Sequence, residues 1–218
     1  MKKILGLVAF ILLLSLPVEI EAQYRKSDWK ERDTWMNLSK IYELAGVKEG
    51  SHVADIGCHE GYLSFHLSDK VGATGKVVAV DVRNDRLNAL KEHIAQRKLK
   101  NIVVTLGDYD NPKLKENSLD VVIIMDTYHE ITEYKKVLKH VKKALKPSGR
   151  LLILEKLKKP WKDKSRKEQV AAHTLSIGYV KEELKEVGFS IVEEVKDFGV
   201  WNNEPHKKMW IVVGVPKT

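Results

Sequence analysis

The chain has 218 residues, 43% hydrophobic and 31% charged, with 13 Gly, 6 Pro and a formal net charge of +8. That length and balance fit one globular unit and exclude a disordered, collagen-like or coiled-coil chain. A single cysteine, Cys58, excludes an intramolecular disulfide framework and a Cys-rich metal cluster.

Met1-Lys2-Lys3 precedes an almost wholly apolar run, Ile4 to Leu16, and then Pro17. Basic residues followed by about 7–15 apolar ones match a secretory signal better than a bilayer span, which needs about 20. Residues 1–22 are therefore expected to form a signal peptide cleaved after Ala22, with an uncleaved anchor as the alternative because Ile20 sits where a small residue is usual. Either way Lys2 and Lys3 stay inside. The folded part, residues 23–218, is exported (periplasmic or secreted) or anchored facing out of the cytoplasm.

The spacing of Trp35, Leu38, Ile41, Tyr42 and Ala45 predicts an amphipathic helix over Ser27–Ala45, stopped by Gly46. A short strand, His52–Ile56, enters Gly57 and a helix from Gly61 to Leu67. Lys76–Val82 is a second strand, Asn84–Lys98 a helix and Ile102–Leu106 a third strand. Leu119–Met125 is apolar on both faces, as a central parallel strand should be. The pattern then gives a helix over Glu133–Leu145, a turn at Lys146-Pro147-Ser148-Gly149 and a fifth strand, Leu151–Leu154. A lysine-rich helix is expected after Trp161 through Ala172, another over Val180–Val187, and strands at Ser190–Val195 and Met209–Val215 joined by the loop 198–206. Alternating strands and helices predict a single α/β domain: a Rossmann-like, doubly wound sheet, mostly parallel, with an antiparallel C-terminal edge hairpin.

From Lys135 to Lys167, fourteen Lys/Arg accompany only Glu155 and Asp163, a local charge of +12 that leaves −4 for the rest. A lysine run on a helix is most often a solvated face; contact with a membrane surface or an acidic substrate is the second reading. Only Trp161 interrupts the lysines, which disfavours nucleic acid as a partner, since stacking readers interleave several aromatics.

Ligands of open α/β sheets bind beyond the carboxyl ends of the strands, so chemistry is sought in the turn Asp55-Ile56-Gly57-Cys58-His59-Glu60-Gly61. Asp81, at the end of the second strand, sits where a carboxylate grips ribose hydroxyls. The turn lacks the G-x-G-x-x-G spacing of a dinucleotide site, and no P-loop lysine follows. Three acids at successive strand tips, Asp55, Asp81 and Asp108, suit a ligand with an ammonium, a ribose and an adenine amine, and no phosphate.

These segments, with Gly107-Asp108-Tyr109, Ser118-Leu119-Asp120-Val121-Val122 and Leu145-Lys146-Pro147-Ser148-Gly149-Arg150-Leu151, resemble the ordered motifs of class I S-adenosylmethionine-dependent methyltransferases. The resemblance covers about Asp33 to the C-terminus and implies S-adenosyl-L-methionine as cofactor. It implies that Gly57 and Gly61 shape the turn around the methionine moiety and that Asp81 binds the ribose. Asp108 would take the adenine amine with Tyr109 beside the ring, and Asp126 the methionine end or the substrate; Asp55, Cys58, His59 and Val82 complete the cofactor set. His59 departs from the pattern, standing where many relatives have glycine. A negative φ would accommodate it, and His tolerates the left-handed region better than most residues. Contact with the cofactor carboxylate and simple tolerance both stay open. Cys58 reads as a small buried filler rather than a nucleophile.

On the acceptor side, Asp126-Thr127-Tyr128-His129-Glu130-Ile131 follows the fourth strand. His129 is expected to act as base and Glu130 as its orienting partner or a substrate contact, with Tyr128, Glu155 and His173 completing the pocket. The alternative has His129 capping the next helix and Glu130 solvated. A metal held by His129, Glu155 and His173 is disfavoured, since its ligands would come from three separate segments. The expected function is methyl transfer to a small-molecule or lipid-like acceptor, with no indication of oligomeric state. A non-catalytic adenosine-binding or scaffold module, and an RNA methyltransferase using the basic stretch, are the alternatives.

Overall fold

The computed structural model describes residues 26–217; the expected address segment, 1–22, lies outside the described residues. Seven strands form one sheet: β1 (His52–Ile56), β2 (Lys76–Asp81), β3 (Ile102–Leu106), β4 (Leu119–Met125), β5 (Leu145–Lys158), β6 (Phe189–Val200) and β7 (Lys207–Pro216). Their order is β3-β2-β1-β4-β5-β7-β6. The five from β3 to β5 pair in parallel, while β7 lies antiparallel between β5 and β6. The sheet is therefore doubly wound and mostly parallel, with the antiparallel hairpin at one edge, as the sequence pattern predicts.

Side chains alternate across the strands, so both faces are buried. On β4, Val121, Ile123 and Met125 join one core with α1 (Lys26–Trp35), α2 (Leu38–Ala45), α3 (Tyr62–Val71) and α4 (Asn84–Arg97). Val122 and Ile124 join the other core with α5 (Tyr134–Ala144) and α7 (Ile177–Val187). Each fully buried aliphatic side chain of this kind contributes roughly 1.5–3 kcal/mol. Among the described residues, no helix is long and apolar enough to cross a membrane.

Three expectations need correction. The helix expected over Ser27–Ala45 is two helices, because Asn37 leaves helical geometry and its side chain accepts the Lys40 N–H, starting α2 afresh. Residues 146–149 do not separate a helix from a short strand. They form an excursion within β5, between the Leu119–Leu145 and Val121–Arg150 pairings, where Pro147 needs no ladder partner. The lysine-rich helix is only α6 (Arg166–Ala171), because the Ser165–Glu168 capping box fixes its start.

The basic stretch is not one uniform face. Lys135 pairs with Glu186 (2.7 Å), Lys136 with Glu133 (3.1 Å), Lys143 with Glu116 (3.5 Å) and Lys146 with Asp120 (2.7 Å). Arg166 pairs with Glu183, and Lys156 is buried against Asp126. Acids from the rest of the chain thus neutralise much of the local charge.

Candidate active site

The strand order reverses between β1 and β4, so the loops leaving their carboxyl ends part and open a crevice. At its floor Gly57 adopts φ +79°, and a Cβ there would lie 2.2 Å from Thr127 Cγ2. Glycine is required by conformation and space together. The turn is tied to β2: the Gly57 and Cys58 N–H groups both donate to the Val80 carbonyl (2.8 and 3.0 Å). His59 follows at φ +50°, in the left-handed region rather than the negative-φ alternative. Its N–H donates to Asp81 Oδ2 (2.9 Å), and the Arg83 N–H donates to Asp81 Oδ1 (2.9 Å). Two backbone donors thereby fix the Asp81 carboxylate, and each oxygen keeps a lone pair for a further donor.

The crevice is a cavity of about 540 Å³ rimmed by Asp55, Asp81 and Asp108 together. Gly57, Cys58, His59, Val82, Tyr109, Asp126 and Glu130 line it too, while Gly61 starts α3 at φ +102° beside it. Asp55 is only 2% exposed and accepts the Ser64 hydroxyl at 2.6 Å. Burial pushes its pKa up to about 7; the Ser64 hydrogen bond opposes the shift and the Asp81 charge adds to it. Burial also raises the Cys58 thiol well above its usual value, helped by the charges of Asp55 and Asp81, so it is no thiolate. The His59 imidazole is lowered, by burial first and the Arg86 charge second. Asp108 is exposed and pairs with Lys113 Nζ at 2.9 Å, and Tyr109 stands open to solvent.

Helix α1 adds a further wall. Trp29 and Arg32 line the cavity, Trp29 packing on Tyr62 and Phe65, and Arg32 stacking over Tyr62 (4.4 Å) and Trp201 (4.7 Å). Arg32 Nε is buried without a hydrogen-bond partner. Sequence reasoning missed these two residues, along with Thr127, Met125, Ile131, Val137 and Pro112 in the wall. The available signal was Trp29, Arg32 and Trp35 recurring at helical spacing, which places a cation between aromatics on one face.

Of the expected acceptor residues only Asp126 and Glu130 line the cavity. Asp126 adopts φ +53° and pairs with Lys156, which stacks over Trp201 at 4.7 Å. Tyr128 is fully buried and donates to Glu183 (2.8 Å). His129 is buried too, with Nδ1 at 2.9 and 3.0 Å from the oxygens of the wholly buried Glu155 and Nε2 3.0 Å from Glu130 Oε1. His173 Nδ1 reaches the same Glu130 oxygen at 2.5 Å. Burial lowers the His129 pKa, but the Glu155 hydrogen bond and charge, with Asp126, outweigh it, and the net shift is upward. Both ring nitrogens therefore face carboxylates. For Glu130, burial pushes upward, but the hydrogen bond from His173 and the charges of both imidazoles bring it below the usual carboxylate range.

The family model described as a methyltransferase domain matches residues 47–199. A demethylmenaquinone methyltransferase of Lactococcus lactis is 31% identical over 127 residues, 58% of this chain and 50% of that protein. A ubiquinone/menaquinone biosynthesis C-methyltransferase of Pseudomonas putida is 34% identical over 114 residues, covering 52% and 44%. The chain thus spans about half the length of the curated relatives it matches. Among solved structures, an S-adenosylmethionine-dependent methyltransferase from Aquifex aeolicus is 27% identical with a TM-score of 0.71, over 88% of this chain and 98% of that one.

Proposed function

The chain belongs to the methyltransferase-domain family and is an S-adenosylmethionine-dependent methyltransferase; from that premise we propose that it methylates a ring carbon of a small, lipid-soluble hydroxylated aromatic such as a reduced quinone. The observation that carries this reading is the cavity wall at Asp126 and Glu130, where the flanking Met125 and Ile131 give apolar surfaces suited to a flat ring. The names of the two curated relatives support a quinone-like acceptor. The basic-then-apolar pattern of residues 1–16 supports a membrane-associated or exported location, where such acceptors dissolve.

The donor set fits the cofactor. The fixed Asp81 carboxylate suits a ribose diol, and Asp55 with Asp126 suits an ammonium. Arg32, whose buried Nε has no partner, suits a carboxylate. When bound, S-adenosylmethionine supplies an electrophilic methyl group on a sulfonium. The protein's own task is to align the acceptor with that methyl and exclude water. Trp29 and Arg32 on α1 line the same cavity. Glu130, kept ionised by its two imidazoles, accepts a hydrogen bond from the acceptor hydroxyl, which raises electron density at the adjacent ring carbon; once that carbon carries the methyl, its hydrogen leaves as a proton to Glu130 and on to solvent, and the ring regains aromaticity. His129, held between Glu155 and Glu130, positions Glu130 and leaves no nitrogen for the acceptor's proton.

The test incubates the full chain with S-adenosylmethionine carrying a deuterated methyl and a chemically reduced, unmethylated naphthoquinone. Mass spectrometry should find the label on a ring carbon. No transfer, or label on oxygen alone, would overturn the acceptor assignment.

A further inference from the structure

Two imidazoles meet on one oxygen of Glu130. His129 and Glu130 come from the short turn after β4, and His173 comes from the turn that ends α6, yet one ligand atom of each lies within 4.8 Å of the others, with His129 Nε2 and His173 Nδ1 both on Glu130 Oε1. We propose that these three atoms form a binding site for a first-row divalent transition ion of the zinc class, at the rim of the methyl-transfer cavity.

The chemistry of the donors selects the ion. Two imidazoles and one carboxylate suit Zn²⁺, Co²⁺ or Fe²⁺, whereas Mg²⁺ and Ca²⁺ demand oxygen donors. His129 carries the arrangement that orients a ligating imidazole. Glu155, wholly buried, accepts from Nδ1 and also takes the His129 backbone N–H at 3.1 Å. That holds the proton on Nδ1, so an incoming ion displaces the Nε2 proton alone and takes the Nε2 lone pair on the side facing Glu130 and His173.

One of the two ligand distances already suits an ion, and the other requires a small opening. Ligands about 2.1 Å from a common ion, at angles between square and tetrahedral, lie about 3.0–3.4 Å apart. His129 Nε2 and Glu130 Oε1 are already 3.0 Å apart. His173 Nδ1 and Glu130 Oε1, at 2.5 Å, must separate by about 0.5 Å. Their side chains are 67% and 54% exposed and can do so. His173 is held at φ +50°, a conformation that costs energy in a non-glycine residue and here sets its ring edge-on to His129 with centroids 5.9 Å apart. The alternative grouping of Asp126, His129 and Glu155 is closed, because Asp126 is engaged by Lys156.

Three protein ligands with an exposed side leave coordination positions open, the pattern of reactive rather than structural sites. The site itself stands on the ligand geometry. Only its use, as a Lewis acid for the acceptor's oxygen, rests on the acceptor reading above.

The test strips the full-length protein with a chelator and titrates it with Co²⁺, following visible absorption, and with Zn²⁺ by calorimetry. A single equivalent should bind, with affinity falling at least tenfold in H173N, which keeps a residue tolerant of left-handed geometry, and in E130Q. Affinity for S-adenosylhomocysteine should hold in H173N, whose residue is not among those lining the cavity. No uptake by the wild type, or undiminished affinity in both variants, overturns the site. Uptake that depends on these residues, without methyl transfer to the reduced naphthoquinone, keeps the metal site and removes the acceptor assignment instead.

Discussion

Asp55 gives the sharpest quantitative prediction. Its pKa is about 7 in the native structure against an ordinary 3.8, a difference worth about 4 kcal/mol at roughly 1.4 kcal/mol per unit. The native value lies above the unfolded one, so the native state prefers the neutral acid. Asp55 is harmless below the unfolded value, becomes steadily more destabilising as pH rises, and exerts its full cost above about pH 7. Replacing it by Asn keeps an oxygen to accept the Ser64 hydroxyl and removes the charge. D55N should therefore be more stable than the wild type near pH 8 by up to about 4 kcal/mol, and the gain should vanish toward about pH 4. Urea denaturation of both proteins across that range reads the difference directly and cancels the titrations of groups remote from Asp55. The gain should come with weaker S-adenosylhomocysteine binding, since the ligand's ammonium restores the ionised form. A stability difference that stays flat with pH, or a D55N variant less stable at pH 8, would refute the reasoning.

Two further outcomes follow from the same geometry. Gly57→Ala puts a Cβ 2.2 Å from Thr127 Cγ2 at φ +79°, so S-adenosylhomocysteine affinity and thermal midpoint should both fall, the backbone strain alone costing about 1–2 kcal/mol. Glu155→Gln removes the buried partner of His129. Because the His129 pKa is raised, the stability it brings is full below about pH 6.5 and lost as pH rises through its native value, so thermal melts should show the variant's deficit to be larger at pH 6 than at pH 8.

Much of the cofactor half could be read from the chain because it is built from strand ends. Asp55 stands near the end of β1, Asp81 ends β2 and Asp108 follows β3 after Gly107, and the parallel order carries those tips to one rim. The acceptor half depends on side-chain direction after β4, which spacing does not encode. Tyr128, His129 and Glu130 are adjacent, yet the short turn buries the first two and leaves Glu130 on the cavity wall. The part α1 plays was hidden for a different reason. Arg32 meets Trp201, far along the chain on the β6–β7 connection, and no local pattern brings them together. His173, expected to complete the acceptor pocket, is returned by the fold to Glu130 across 43 positions, although it is not among the residues lining the cavity.

The account rests on Asp81 gripping the nucleoside in the crevice between β1 and β4. Isothermal titration of S-adenosylhomocysteine into wild type and Asp81→Ala tests it most directly. The wild type should bind one equivalent, and the variant, its fold intact by circular dichroism, should lose about 2–4 kcal/mol of binding, the worth of two charge-assisted hydrogen bonds. Equal binding by both proteins, or none by the wild type, would contradict it.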